Sequence, residues 1–514
     1  MRPPQAKNGL NMRIPSGRTL SQSRERRWLG GVLLATTISR AVYFLYFGIR
    51  FDDQPLAFYM QYIDPDLLRS ALAESLFYLR EQPPLFNLFL GAILKLFPAR
   101  EHFAFHASFF LCGLAVTTAT YLLMTRLRMP PPYCALFAAL FAVAPATVLF
   151  ENWLFYTYPV TVLLCLAALF LHRFLRDGKT SDGMVFALLS SALALTYGVF
   201  HLAWQIAVLG LLFVSGRTNR KQVLAVSLSA LALTGSLYLK NYALFGRATG
   251  GLHVGWNLAI VGGSYLDPAE IEELKRDEAL SPMTWTLLSG KSTLRDYKPY
   301  IPESRPTGVA VLDSELKSTG WENFNHHSWS YIGDVFRRDG IYLVTRYPKA
   351  YLSYLRMNMK RYFQAASDHH FDRGGIDQYP NGKRLLGMLK AYHAYSGGAN
   401  WVILPVCVLF SAAFGVRCLT QRSIDQAAAS EKRADGLTIL FCLFNILYLG
   451  SLTVGLSFGD QNRYRFSVMP FYYVFFAMIL WRVSRRVVRN RLERYWMLRD
   501  SPTRQNRLPS PDNP

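Results

Sequence analysis

The chain of 514 residues is 51% hydrophobic and 14% aromatic, and 56 Lys and Arg against 34 Asp and Glu give it a formal net charge of +22. Its apolar residues come in runs of roughly 15 to 22, the length that crosses about 30 Å of hydrocarbon as a helix, which excludes an ordinary soluble multidomain chain. The basic excess lies in short segments between those runs, where it reads as the bias of cytoplasmic membrane loops, and nucleic acid is not needed to explain it.

Residues 1–27 carry seven Lys or Arg and read as a disordered cytoplasmic tail. The apolar run that follows is too long for a cleaved signal peptide and has no small-residue cleavage site after it, so a retained signal anchor is expected. Spans are expected at 29–49, 103–125, 133–150, 153–172, 184–200, 202–215, 222–240, 399–416, 436–457 and 466–483. This is an all-α polytopic architecture of about ten membrane helices with juxtamembrane helices on the outer side. Arg126 and Arg128, then Arg173, Arg176 and Lys179, then Arg217, Arg220 and Lys221, fall in alternate turns. Arg417, Arg422, Lys432 and Arg433 continue the pattern, and 486–514 is a basic tail. Both termini are therefore expected in the cytoplasm of a cell with an inner (plasma) membrane location for the protein.

Within this frame 28–240 is the membrane core, interrupted by an extracytoplasmic loop at 50–102, and 399–485 supplies the last helices. "PPLFNLFLGAILKLF" (83–97) would reverse every later loop if it crossed, so it is expected as a re-entrant or surface helix. "DPDLLRSALAESLFYLRE" is amphipathic at helical spacing. A second large outer segment occupies 241–398. There Asp267, Pro268 and Glu270 form a capping-box signature. "IYLVTRYPKAYLSYLRMNMKRYF" (341–363) suits a helix in the headgroup layer. The six cysteines fall in or beside spans, so no disulfide framework is implied.

The chemistry-bearing residues gather at the outer ends. Asp52 and Asp53 follow the first span directly, and Glu151 stands at the turn between the third and fourth. A carboxylate partly withdrawn from water at that edge has a raised pKa and can accept a proton from a hydroxyl. Lys240, Arg463 and Arg465 are basic residues on the outer side, against the usual bias, and suit an anionic partner such as a phosphate. Arg40 lies mid-membrane, where a charge is either functional or paired. Asp368, His369, His370 and Asp372 are the residues that would make a metal site, although adjacent residues rarely ligate one ion together.

An acid pair after the first span, an amphipathic loop, "QPPLFNLFLGAILKLF", "ALFAVAPATVLFENWLFYTYP", "LKNYALFG" and "GDQNRYRFSVMPFY" occur here in that order. In combination the chain resembles the GT-C superfamily of membrane glycosyltransferases, and within it family 39, the protein mannosyltransferase and aminoarabinose transferase type. Gln82 stands where that family has His or Lys before Pro-Pro-Leu, and Ala144 where it has Ser. The resemblance implies a GT-C core and inverting transfer of a sugar from a polyprenyl-phosphate donor to an extracytoplasmic acceptor (glycan, lipid or protein). It implies Asp52 or Asp53 as general base, Glu151 as acceptor-orienting or cation-binding, a divalent cation being left open, and Lys240, Arg463 and Arg465 around the leaving phosphate. An envelope polysaccharide polymerase or ligase, and a non-enzymatic transporter of a lipid-linked sugar, are the alternatives. A polymerase or ligase would lean on loop Arg and His; a transporter predicts inverted repeats and charges spread through the spans.

Overall fold

The computed structural model describes residues 17–214, 220–249, 251, 253–303, 305–366, 381–421 and 425–499. Within them all regular structure is helical, with only isolated bridges where β pairing occurs. The Asp368–Asp372 cluster lies outside the described residues.

Helix α1 (Gly17–Leu45) leads into the first loop, which folds as α2 (Pro55–Phe58), α3 (Pro65–Ser70), α4 (Leu72–Phe77) and α5 (Leu85–Leu96). The amphipathic stretch after Asp64 thus breaks at Ala71 into two short helices, the first capped by the Asp64 carboxylate. Twelve residues of α5 span about 18 Å, too short to cross a bilayer. The core continues as α6 (Glu101–Arg126), α7 (Pro131–Val143), α8 (Pro145–Glu151), α9 (Thr157–Asp177), α10 (Thr180–Thr196), α11 (Leu202–Val214) and α12 (Arg220–Phe245). Pro145 cannot continue α7 and holds Ala144 extended at ψ 137°, so α7 and α8 meet at a 59° bend. Gly178, at φ +67°, closes α9 with the left-handed residue a helix end favours.

The second large segment holds α13 (His253–Gly263), α14 (Pro268–Arg276), α15 (Pro282–Leu288), α16 (Leu294–Tyr297), α17 (Ala310–Asp313), α18 (Trp329–Arg346) and α19 (Pro348–Phe363). The expected capping box of α14 forms, Asp267 accepting from Glu270 N–H and Glu270 from Asp267 N–H. The single helix expected across 341–363 is two, because Pro348 starts a new one after Tyr347. The chain ends its described part with α20 (Gly382–Thr420), α21 (Gln426–Leu456), α22 (Gln461–Phe466) and α23 (Met469–Arg499).

Among the described residues six helices are long and apolar enough to cross a membrane: the Ser23–Leu45 part of α1, then α6, α9, α12, α20 and α21. The bent α7–α8 pair would make a seventh, while α10 and α11, of 17 and 13 residues, fall below that length. The chain is thus a helical, multi-pass membrane protein, and length and apolar composition together account for six or seven of the ten expected spans. The basic turns after α6 and α9 meet the starts of α1 and α21 at one end of the bundle. There Arg128 meets Glu431 at 2.8 Å, Arg176 meets Glu431 at 3.2 Å, and Tyr121 Oη donates to the Glu25 carbonyl at 3.0 Å. The two large segments meet each other at the opposite end: Lys317 Nζ donates to the Tyr59 carbonyl at 2.6 Å, and Ser318 Oγ donates to Asp64 Oδ1 at 2.6 Å.

Helices α13 and α18 pack at backbone distance. A Cβ on Gly340 would lie 2.6 Å from Ala259 N and 2.7 Å from the Leu258 carbonyl carbon. These are backbone atoms, which cannot swing aside, so Gly340→Ala should destabilise by about 1–3 kcal/mol as the two helices are forced apart. Thermal unfolding in detergent, beside Ser353→Ala on the exposed face of α19, checks this. An unchanged midpoint for Gly340→Ala would show that the helix pair is looser than its geometry.

Candidate functional site

The first acids form a rim of their own. The Asp52 backbone pairs with the turn after α8: its N–H donates to the Asn152 carbonyl at 2.8 Å, and Leu154 N–H donates to its carbonyl at 2.9 Å. That bridge fixes where α1 ends relative to α8 and α9. The Asp52 carboxylate accepts from Gln54 N–H at 3.0 Å, and burial pushes its pKa up, with the neighbouring Asp53 adding to the rise. Asp53 faces the other way and meets His102 Nδ1 at 2.9 Å on a half-exposed surface.

Glu151 is not on an open turn. It is 2% exposed, and its carboxylate receives Arg40 Nε at 2.9 Å and Nη2 at 2.6 Å, with Tyr158 Oη donating at 2.8 Å. Arg40 Nη1 donates to the Ala142 carbonyl, one of the carbonyls left over where α7 ends before Pro145. The bend in α7–α8 thus supplies both a carboxylate and a carbonyl to the mid-membrane arginine. The cation that Glu151 meets within the chain is the Arg40 guanidinium, and Glu151 does not line the cavity beneath the first loop.

A cavity of about 560 Å3 opens elsewhere, where α10, α11, α12, α13, α21 and α22 converge beneath the first loop. Its lining mixes apolar Val254, Leu452, Leu456 and Phe458 with polar Glu81, Gln82, Asn257, Asp460 and Arg463. Arg463 is 6% exposed, and its guanidinium lies 4.9 Å from the Phe155 ring centre and 4.5 Å from that of Tyr464. Thr157 Oγ1 accepts from Nη1 at 3.2 Å and Asp460 Oδ2 stands 3.5 Å from Nε, so the fork is held from two sides.

Glu81 is 2% exposed, and its ion pair with Arg80 is a long one. Arg80 Nε is 3.7 Å from Oε1, beyond hydrogen-bond distance, and no hydrogen bond reaches that oxygen among the described residues. Arg80 is instead held by the His326 carbonyl, to which its Nη2 donates at 3.0 Å. Burial pushes the Glu81 carboxyl up to about 7, against the opposing pull of Arg80 and Arg247. A buried acid whose pKa is pushed up, lining the same cavity as a fixed guanidinium, is an arrangement that acid–base chemistry can use.

Of the three expected phosphate-binding cations, Arg463 alone lines this cavity. Lys240 Nζ donates to the Phe77 and Leu79 carbonyls at 2.9 and 2.6 Å and so ties α12 to the end of α4. Arg465, 1% exposed, donates to the Tyr362 and Gln364 carbonyls and clamps the end of α19. Neither Asp52 nor Asp53 lines the cavity. Between Asp52 and Arg463 stand Trp153 and Phe155, stacked at 4.6 Å. Glu81 was legible only as an acid in "REQPPLF"; nothing in the sequence says that it is buried. Among the described residues no group of three or more His, Cys, Asp or Glu is arranged to hold a metal ion. Comparison with protein-family models, with curated proteins and with solved structures finds no match.

Proposed function

We propose that the chain is an integral membrane glycosyltransferase that moves a sugar from a polyprenyl-phosphate donor to an acceptor outside the cytoplasm, with inversion at the anomeric carbon. The observation that carries this reading is one cavity whose lining joins apolar side chains, a fixed guanidinium and a buried acid with no hydrogen bond at Oε1. The ends of α13 and α21 offer Val254, Leu452, Leu456 and Phe458 to a prenyl chain arriving from the bilayer. Arg463 offers planar, bidentate donors to the phosphate and keeps its charge at any physiological pH. Glu81 takes the place that the sequence assigned to Asp52 or Asp53: it accepts the hydroxyl proton as the acceptor oxygen attacks the anomeric carbon. The bond from that carbon to the phosphate oxygen breaks, and polyprenyl phosphate leaves against Arg463. Both termini are then cytoplasmic and the cavity opens on the far side of the plasma membrane.

The test is donor consumption by the purified protein in vesicles, with a panel of polyprenyl-phosphate sugars and a crude envelope acceptor. The expected result is release of polyprenyl phosphate from one donor, dependent on added acceptor. A labelled lipid-linked sugar that crosses the bilayer intact would contradict the reading and establish transport instead.

A further inference from the structure

We infer that α19 is a docking surface for the anionic headgroups of the bilayer, a binding role separate from the cavity and from the chemistry proposed for it. Its sequence, "PKAYLSYLRMNMKRYF", has Lys349, Arg356, Lys360 and Arg361 and no Asp or Glu. Spacing of three, four and seven residues puts Lys349, Leu352, Arg356, Met359 and Lys360 on one face of the helix, and all five are exposed, Leu352 at 61%. The neighbouring helices of the same segment balance their bases with acids: Arg346 meets Glu273 at 3.1 Å, Lys275 meets Glu272 at 3.0 Å, and Arg338 meets Asp339 at 2.9 Å. Lys349, Arg356 and Lys360 meet no carboxylate among the described residues.

The opposite face sets the height of the helix. Tyr351 Oη donates to the Gly455 carbonyl at 3.1 Å, and Asn358 Nδ2 donates to the Val454 and Ser457 carbonyls at 2.9 and 3.1 Å. Those carbonyls belong to the last turn of α21 and the residue after it, the level at which a spanning helix leaves the hydrocarbon. At that level an exposed stripe of alternating long bases and apolar side chains meets phosphates and glycerol together, which neither open water nor the hydrocarbon supplies. Charge selects the occupant: three cations on one stripe that meet no carboxylate among the described residues favour anionic over zwitterionic headgroups.

The experiment places a bimane label on Ser353→Cys, exposed beside the stripe, in the full chain in nanodiscs, with unsubstituted protein correcting for native cysteines. Quenching is read with phosphatidylglycerol or phosphatidylcholine bearing a headgroup nitroxide, and with iodide in the water. The expected result is lipid quenching that is deeper with phosphatidylglycerol. In K349Q/R356Q/K360Q the phosphatidylglycerol fraction needed for half-maximal quenching should rise on the order of tenfold. R356Q alone should show a smaller rise, which keeps the test decisive if the triple variant folds poorly, and K275Q should show none. Equal quenching by both lipids overturns the inference, as does quenching by iodide alone. A label reached by neither would mean that a second copy or another protein covers α19, and would overturn it equally.

Discussion

Replacing Glu151 with leucine while Arg40 remains should cost about 3–5 kcal/mol of stability, because a mid-membrane guanidinium then loses its carboxylate and keeps neutral partners, the Ala142 carbonyl and the Ser39 hydroxyl among them. Arg40→Leu should be comparably severe, since it leaves the Glu151 carboxylate with the Tyr158 hydroxyl alone. The double variant Arg40→Leu/Glu151→Leu should recover much of the loss, because a buried pair contributes little against an apolar replacement of similar volume. Gly113→Ala probes the same place from the other side, as a Cβ there would overlap Glu151 Oε2. Thermal unfolding of the four variants in one detergent checks the set. Single and double variants that are equally unstable would mean that the pair holds the α7–α8 bend through something other than mutual charge compensation. A functional role for Glu151 in binding an acceptor predicts the reverse pattern, stable protein with lost activity.

Glu81→Gln should lower transfer on the order of 10²–10⁴-fold with little change in stability, the range a positioned general base contributes. The substitution keeps size and removes only the capacity to take a proton, and the carboxylate it replaces has no hydrogen bond at Oε1 to lose. The wild-type rate should rise with pH through a midpoint near 7, where Glu81 titrates, because a base acts only when deprotonated and burial holds this carboxyl well above its ordinary 4.5. The sign follows from the direction of the shift: below the midpoint the acid is protonated and inactive, above it ionised and active. A rate that already plateaus below pH 6 would remove Glu81 from that role.

The sequence made the helical membrane class plain, since long apolar runs have few other uses, and the Asp267 capping box formed because its signals are local. Pro348 was equally local, yet the periodicity on both sides of it concealed the break between α18 and α19. The tertiary surroundings of the expected site residues were not legible in the same way. Glu151 looked like an acid on an outer turn because "EN" lies between two apolar runs. Only the Pro145 bend turns it inward to Arg40, and a bend angle has no signature in residue type. Asp52 and Asp53 were correctly seen to follow the first span, but the bridge from Asp52 to Trp153 and the aromatic stack behind it keep them from the cavity. Lys240 and Arg465 were read as cations awaiting a phosphate, whereas each meets backbone carbonyls contributed by a segment far away in sequence. Such partners are tertiary facts. The same holds for Glu81, whose isolation depends on Arg80 being drawn off to the His326 carbonyl.

The most direct measurement is transfer from polyprenyl-phosphate sugar by wild type, Glu81→Gln, Asp52→Asn and Asp53→Asn, each reconstituted in vesicles and shown to be folded by its thermal midpoint. The cavity account predicts that Glu81→Gln alone loses transfer, while both aspartate variants retain most of the wild-type rate. Full activity in Glu81→Gln with loss in either aspartate variant would contradict it and move the chemistry to the rim beside His102.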